Sequence, residues 1–173
     1  ITLRNAQTLG LATRSDAFKM NPADIKIDWS KNPREDYGNL EEHNELKESI
    51  RLNGVMMPLY VHSVGNDIYL SHGFRRMQAV TELLAEGIEM RVPVIQMESN
   101  EEAILLAHFT LNTGKPLTDL EIGETLNRLC KLLGEDNFTN ISKRSGIEYQ
   151  KVVRLVKLVR NASTQVKTAI DND

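Results

Sequence analysis

Short apolar runs separated by turn residues dominate the first 98 residues. Four of these runs predict strands, around Ile25 and at 59–61, 68–70 and 92–95. The turn Gly65-Asn66-Asp67 makes the second and third strands a candidate hairpin. Pro93 favours an edge position for the last strand, because proline donates no hydrogen bond to a neighbouring strand. Residues 1–20 are polar and aperiodic, which indicates a mobile arm.

Helical spacing occurs twice between these strands. A helix that begins near Leu40 ends at the stop signal Asn53-Gly54. A second helix lies between Gly73 and Gly87, and its apolar face is formed by Met77, Val80, Leu83 and Leu84. Strands that alternate with helices predict a small α/β unit over about 21–98.

The pattern becomes entirely helical after residue 98. Ser99-x-x-Glu102 and Thr118-x-x-Glu121 both match the capping box, in which two side chains satisfy amides at the start of a helix. They predict two helices, at about 101–112 and 119–133. Two further helices fit around Gly146. The predicted fold class is therefore α+β, with an all-helical unit over about 99–173.

Charge is unevenly distributed along the chain. The 173 residues carry a formal net charge of −3, yet residues 139–170 contain seven Lys or Arg residues and one acid. That segment carries +6, so the rest of the chain carries −9. This division indicates that one unit faces an anion and the other does not.

Cysteine content and hydropathy restrict the cellular compartment. Cys130 is the single cysteine, so no disulfide framework forms within the chain, which fits a reducing cytoplasm. No apolar run approaches membrane-spanning length and no signal peptide is recognisable, so we expect a cytoplasmic protein without a membrane partner. Because the sequence starts without Met and stops in a polar tripeptide, we expect a fragment, and a further C-terminal domain stays open.

Residues 140–159 have the spacing of a helix-turn-helix, with Gly146 at the turn. Ser142 is small enough for the helices to approach, and Val152 and Leu155 would pack the second helix onto the first. The exposed positions of that helix, which would enter a major groove, are Tyr149, Gln150, Lys151 and Arg154. Phosphate contacts are assigned to Lys143, Arg144, Lys157 and Arg160. A plain helical hairpin is the alternative, and the local charge favours DNA.

Several stretches occur in a characteristic order, namely Asn32-Pro33-Arg34, Gly54-Val-Met-Met-Pro58-Leu-Tyr-Val61, Gly73-Phe-Arg-Arg76 and Asn112-Thr-Gly-Lys-Pro-Leu117-Thr-Asp-Leu-Glu121. With the helix-turn-helix spacing, they resemble the ParB family of chromosome- and plasmid-partition proteins from about Asp24 to Leu158. The resemblance implies a small ParB/sulfiredoxin-like α/β domain followed by a helix-turn-helix domain.

The resemblance also implies a nucleotide pocket, because many ParB proteins bind CTP and use it to clamp around DNA. It assigns to this pocket Gly54, Val55, Met56, Pro58, Gly73, Phe74, Arg75, Arg76 and Asn112. Glycines let backbone amides approach a ligand, amides at a helix start favour anions, and arginines add charge-assisted hydrogen bonds. Without the family resemblance, the expectation for the two arginines is ion pairing with Glu82 or Glu86.

The motifs depart from the family pattern at two places. Phe74 stands where the family has Glu, and Leu111-Asn112 replaces a Glu-Asn pair. Acidic residues there would hold Mg²⁺ and the attacking water, so their loss argues against CTP hydrolysis and against Mg²⁺ binding. His72 is expected to be the only histidine beside the pocket, and the scattered histidines disfavour a nuclease. The position of Cys130 disfavours sulfiredoxin chemistry.

The sequence therefore predicts a sequence-specific DNA-binding protein of ParB type, associated with the nucleoid or a plasmid. Its expected partners are double-stranded DNA, a second copy of the chain, and a partner ATPase or other protein. The leading interpretation is a CTP-dependent DNA clamp in partition or regulation. The competing interpretation is a nucleotide-independent regulator or partition adaptor whose N-terminal domain binds only protein.

Overall fold

The first half of the chain forms a five-stranded mixed sheet with helices packed against it. The structure is a computed structural model, and it describes residues 17–33, 39–111, 116–134 and 137–162. The strands are β1 (Ala17–Met20), β2 (Ile25–Lys26), β3 (Leu59–Val64), β4 (Asp67–His72) and β5 (Val92–Gln96). The helices are α1 (Leu40–Asn53), α2 (Phe74–Ala85), α3 (Glu101–Thr110), α4 (Asp119–Leu133), α5 (Phe138–Ser145) and α6 (Tyr149–Asn161). The α+β fold class is confirmed.

Strands β3 and β4 form the predicted hairpin. The order across the sheet is β1-β5-β3-β4-β2, in which β1–β5 and β3–β4 are antiparallel and β5–β3 and β4–β2 are parallel. Apolar side chains of the sheet and of helices α1 and α2 share one core, which includes Leu59, Leu70, Val80, Leu83 and Val94. Burial of these side chains holds the end of β4 and the start of α2 in place beside the loop that follows α1.

Strand β1 lies inside the segment for which the sequence predicts an arm. It pairs with β5 from Ala17 opposite Ile95 to Met20 opposite Val92. The predicted edge position of β5 is therefore wrong, because β1 covers its outer side. Phe18 is 54% exposed, whereas Met20 packs against the core, so backbone pairing with β5 and the contact of Met20 hold β1 to the sheet. Residues 1–16 lie outside the described residues.

Charged side chains join helices α1 and α2. His43 Nε2 and Lys47 Nζ each lie 2.9 Å from a different carboxylate oxygen of Glu82. Lys47 and Arg51 each lie 2.6 Å from an oxygen of Glu86. The hydrogen bond from Lys47 is the largest cause that lowers the pKa of Glu82 and of Glu86. These pairs fix α2 relative to α1.

The helical part begins with a cap different from the predicted one. Asn100, not Ser99, caps α3, because its side-chain oxygen accepts a hydrogen bond of 2.6 Å from the Ala103 amide. The capping box of α4 is confirmed. The Thr118 hydroxyl accepts from the Glu121 amide at 3.2 Å, and the Glu121 carboxylate accepts from the Thr118 amide at 2.8 Å.

Gly123 brings helices α4 and α6 close together. A Cβ atom at this position would lie 2.7 Å from Val159 Cγ2 and 3.0 Å from the Leu155 backbone oxygen. Both helices contribute to a second apolar core, in which Cys130 is buried. In the part of the chain that the structure describes, no helix combines the length and the apolar character needed to cross a bilayer.

Candidate functional site

A cavity of about 320 Å³ opens between the loop after α1, the turn from β4 into α2, and the end of α3. Most of the residues predicted to bind a nucleotide line it, namely Gly54, Val55, Met56, Gly73, Phe74, Arg75 and Arg76. Pro58 lies outside this lining, and Asn112 lies outside the described residues. Three separate stretches of sequence are thus brought to one cavity.

Gly73 forms the turn from β4 into α2 and requires glycine for two reasons. Its φ is 103°, in the left-handed region that other residues rarely adopt. A Cβ would also lie 2.7 Å from Leu59 Cδ2 and 3.1 Å from Arg76 Nη2. As the residue that precedes α2, Gly73 offers no side-chain cap. The start of α2 therefore presents its backbone amides at the cavity wall, an arrangement that favours an anion.

Arg76 holds the loop that precedes β3. Its Nη1 donates hydrogen bonds to the carbonyl oxygens of Met57, at 2.5 Å, and of Pro58, at 2.7 Å. Burial lowers the pKa of its guanidinium, although an arginine remains charged in a protein. Two main-chain acceptors thus occupy this guanidinium, which gives Pro58 a structural part in the site.

Arg75 has a looser arrangement. Its nearest described carboxylate is that of Glu42, at 3.6 Å, and its side chain is 19% exposed. Its buried Nε has no hydrogen-bond partner among the described residues. The expectation that these arginines pair with Glu82 or Glu86 is wrong, because His43, Lys47 and Arg51 occupy those two carboxylates. Of the two described arginines that line the cavity, Arg75 is the one less engaged by other groups of the protein.

Phe74, the residue that departs most from the family motif, is 4% exposed and belongs to the core. Its ring packs against Trp29, with ring centroids 5.9 Å apart and planes tilted by 53°. The first residue of α2 therefore anchors the helix while it forms part of the cavity wall. Opposite it, Gly54 ends α1 with φ of 71° and leads into the loop of Val55 and Met56.

Two histidines face the cavity, so the expectation that only His72 does so is wrong. His72 Nε2 donates to the Leu111 carbonyl oxygen at 3.1 Å, and this bond ties the end of β4 to the end of α3. His108 is 2% exposed, and its Nδ1 has no hydrogen-bond partner among the described residues. Burial lowers the pKa of His108 to about 3, with smaller contributions from His72 and Arg128. Its ring is therefore neutral at neutral pH.

His108 could have been found from the periodicity of α3. It lies one turn after Ile104, so the two share a helix face, and both are buried. This spacing predicts a core position but not a cavity, because the facing wall comes from β4 and from the loop after α1.

The residues that line the cavity do not fit a protein-held Mg²⁺. None of the described lining residues is acidic, whereas Mg²⁺ prefers carboxylate and other oxygen ligands. Among the described residues, no group of three or more His, Cys, Asp or Glu side chains could hold a metal ion.

Helices α5 and α6 form the pair predicted from the Gly146 spacing. Gly146 ends α5 with φ of 72°. Ser142 does more than leave space, because its hydroxyl donates to the Ile147 carbonyl oxygen at 2.7 Å and so stabilises the turn. Val152 and Leu155 are buried, as the spacing predicts.

The polar residues predicted to contact DNA lie mostly on the outside of this helix pair. Tyr149 is 44% exposed, Lys151 is half-buried, and the others are exposed, namely Lys143, Arg144, Gln150, Arg154 and Lys157. Three of the cations pair with carboxylates of the same chain. Arg144 pairs with Glu102, and Lys151 and Arg154 both pair with Asp119.

The sequence profile of the ParB N-terminal domain matches residues 15–108. This chain belongs to the ParB N-terminal domain family. The matched part of this ParB protein contains β1 to α3 and most of the cavity wall, but not helices α4 to α6. A search of curated proteins finds no significant match.

Two of the solved structures of ParB proteins that resemble this chain, those with TM-scores of 0.58 and 0.52, share its fold. The C-terminally truncated ParB of Caulobacter crescentus complexed to the centromeric parS site is 18% identical, with a TM-score of 0.58, over 90% of this chain and 78% of that one. The pNOB8-like ParB N-domain is 16% identical, with a TM-score of 0.52, over 92% and 66%. The Caulobacter protein complexed with CTP-gamma-S has 20% identity and a TM-score of 0.48, over 91% and 86%.

Proposed function

We propose that this ParB-family protein binds double-stranded DNA through α5 and α6 and a nucleoside triphosphate, CTP in the first instance, in the cavity beside Gly73. The observation that carries the nucleotide proposal is the composition of the cavity wall. An uncapped helix start, a glycine turn and the guanidinium of Arg75 meet there. The volume, about 320 Å³, lies at the lower end of the range for small-molecule sites, roughly 300–1,000 Å³.

Each part of a nucleotide has a counterpart in this cavity. The backbone amides at the start of α2 and the side chain of Arg75 suit a phosphate. The apolar side chains of Val55, Phe74 and Leu111 suit a planar base or a sugar face. Arg76 keeps the loop of Met57 and Pro58 in position and takes no direct part.

Binding without turnover is the expected outcome, because no described lining residue is acidic. Among the described residues of the wall, no side chain replaces a carboxylate that would hold Mg²⁺ or orient water. We therefore expect nucleotide affinity to be similar with and without Mg²⁺, and phosphate release to remain at the rate seen without protein.

Calorimetric titration of the whole chain with CTP, UTP, ATP and GTP tests the nucleotide proposal. Arg75→Ala should weaken binding of the preferred nucleotide at least about tenfold, because it removes charge-assisted hydrogen bonds. Arg91→Ala is the matched control, since Arg91 is exposed and does not line the cavity. Absence of heat at millimolar nucleotide would exclude a nucleotide site.

The DNA proposal rests on the exposed polar face of α6 and the local excess of positive charge. Gln150 and Arg154 offer the donors and acceptors that read base edges, and Lys143, Lys157 and Arg160 would neutralise phosphates. We propose that two copies bind a symmetric site, as is usual for this motif. A nucleotide in the cavity and DNA bound to α6 would then shift the same conformational equilibrium. Each ligand would therefore change the affinity of the protein for the other.

Selection from a random duplex pool, followed by affinity measurement, tests the DNA proposal. The double substitution Gln150→Ala and Arg154→Ala should lower affinity for the selected site by at least about tenfold, because each base contact is worth roughly 1–3 kcal/mol. Lys131→Ala, an exposed charge on α4, is the control. An unchanged selected sequence for the double variant would exclude α6 as the reading helix.

A second candidate function is protein binding by the N-terminal domain, as in a nucleotide-independent adaptor for a partner ATPase. Apolar exposure at the mouth of the cavity favours it, because Met56 is 79% exposed and the nearby Leu52 is 73% exposed. Exchanging Leu52 for Gln separates the two candidate functions, because Leu52 is exposed near the end of α1 and does not line the cavity. The substitution should leave Arg75-dependent nucleotide binding unchanged and weaken a protein contact made at this surface.

A further inference from the structure

The acidic residue at the start of α4 faces the cations that we assign to DNA. Asp119 is the first residue of α4. Its Oδ1 lies 2.8 Å from Lys151 Nζ, and its Oδ2 accepts a hydrogen bond of 3.2 Å from Arg154 Nη2. Each carboxylate oxygen therefore engages one cation of α6. Lys151 and Arg154 are three residues apart, so they share a helix face.

Local structure fixes Asp119 in this position. The capping box of Thr118 and Glu121 sets where α4 begins. Gly123, one turn later on α4, lets the backbone of Leu155 approach, and Leu155 directly follows Arg154. The close crossing of α4 and α6 thus holds the carboxylate against the proposed reading face.

We propose that Asp119 is an intramolecular competitor for DNA, because it occupies Lys151 and Arg154 in place of the phosphate and base-edge groups that these cations would otherwise contact. The inference rests on the proposed DNA-binding function. A carboxylate offers these cations the anionic oxygens that a phosphate would offer, and it repels an approaching duplex. Every binding mode that uses Lys151 or Arg154 is therefore weakened.

The exposure of these side chains makes the competition reversible. Asp119 is 40% exposed, Lys151 39% and Arg154 66%. Solvent screens such pairs and they contribute little to stability. Any duplex that engages Lys151 or Arg154 must displace Asp119, whether base contacts or phosphates alone hold it. Asp119 thus lowers the affinity for the selected site and for a random duplex alike.

Asp119→Asn tests the proposal, with Glu101→Gln as the matched control. Glu101 is also the first residue of its helix, is exposed, and lies on α3. Both substitutions remove one negative charge from a first helical turn. Fluorescence anisotropy with a random-sequence duplex and with the selected site, at several KCl concentrations, gives the affinities. Thermal melts verify that both variants fold.

Asp119→Asn should raise affinity for the random duplex about three- to tenfold over the control and raise affinity for the selected site by a similar factor. The salt slope should steepen by about 0.9, the value for one more phosphate neutralised. In a background of Lys151→Ala and Arg154→Ala, Asp119→Asn should have no effect beyond the control, which shows that Asp119 acts through these cations.

The outcomes separate this inference from the function on which it rests. Random-duplex affinity equal to that of Glu101→Gln, or lower than that of the unchanged protein, overturns the role of Asp119 alone. Absence of DNA binding by the unchanged protein and by every variant overturns the DNA function and this inference together. Binding that is seen only with Asp119→Asn supports the competitor role.

Discussion

The two halves of the molecule use their arginines and lysines in opposite ways. In the α/β part, Arg76 is engaged by backbone carbonyl oxygens and Arg75 lies largely buried at a cavity. In the helical part, Lys151 and Arg154 lie at the surface and pair with the carboxylate of Asp119. Adjacent or near-adjacent cations look alike in the sequence, yet one pair lies largely inside the fold beside a cavity and the other lies at the surface in ion pairs exposed to solvent.

This difference predicts that substitutions in the two halves have different consequences. Changes around the glycine turn of the α/β part should lower the free energy of unfolding. Changes on the outer face of α6 should alter binding with little effect on stability. Four measurements test this division, and they are ordered from the largest expected effect to the smallest.

Gly73→Ala should lower the free energy of unfolding by roughly 2–4 kcal/mol, because it combines left-handed backbone strain with a clash against Leu59. Chemical denaturation measures the change. Gly87→Ala is the control, since Gly87 has φ of 85° but no heavy atom within 4 Å of an added Cβ. Equal losses of the free energy of unfolding for the two variants would mean that the clash with Leu59 contributes nothing.

Arg76→Ala should lower the free energy of unfolding by roughly 1–3 kcal/mol, because it removes the donors to the carbonyl oxygens of Met57 and Pro58. Arg75→Ala, its neighbour, should change stability by less than about 0.5 kcal/mol. Denaturation of both variants under one condition makes the comparison. A larger loss of stability for Arg75→Ala than for Arg76→Ala would contradict the different roles assigned to the two arginines.

Gly123→Ala should cost about 1 kcal/mol, because overpacking against Val159 is partly offset by the higher helix propensity of alanine. It is the counterpart of Gly73→Ala in the helical part. Combining it with Val159→Ala should relieve the clash, so that the double variant is more stable than the sum of the single losses predicts. If the losses of stability of the two single variants simply add, α4 and α6 move apart in Gly123→Ala and no clash remains to be relieved.

Acid should weaken the link between α1 and α2 slightly. Hydrogen bonds from Lys47 lower the pKa of Glu82 and Glu86 in the folded chain. Their contribution to stability is therefore present above the ordinary glutamate pKa and is lost as pH falls through the lowered values. Denaturation midpoints measured from pH 7 to pH 3 should fall less for Glu82→Gln than for the unchanged protein. Parallel curves would mean that the pair with Lys47 has no net effect.

Local patterns predicted the helices and the hairpin well. The capping box of Thr118, the apolar positions Val152 and Leu155, and the turn at Gly65 each carry their signal within a few residues. The cap of α3 was misplaced by one position because Ser99 and Asn100 are both good capping residues, and their order alone does not decide between them.

Features that depend on distant partners were not predictable in the same way. Strand β1 has only four residues and depends on pairing with the distant β5, and the alternation Phe18-Lys19-Met20 is too short to identify it. The partners of Arg76 are carbonyl oxygens at positions 57 and 58, and a backbone acceptor has no signature in the sequence. Most of the predicted pocket residues do line one cavity, because the family motifs place them together.

The different roles of Arg75 and Arg76 have an evolutionary consequence. Under the proposed nucleotide function, a lineage that no longer binds a nucleotide is released from selection on Arg75. Selection on Arg76 continues, because its guanidinium still donates hydrogen bonds to the loop before β3. Relatives that bind no nucleotide should therefore retain the second arginine of the motif and vary at the first. A comparison of the substitutions at these two neighbouring positions among relatives would then show which of them have stopped binding a nucleotide.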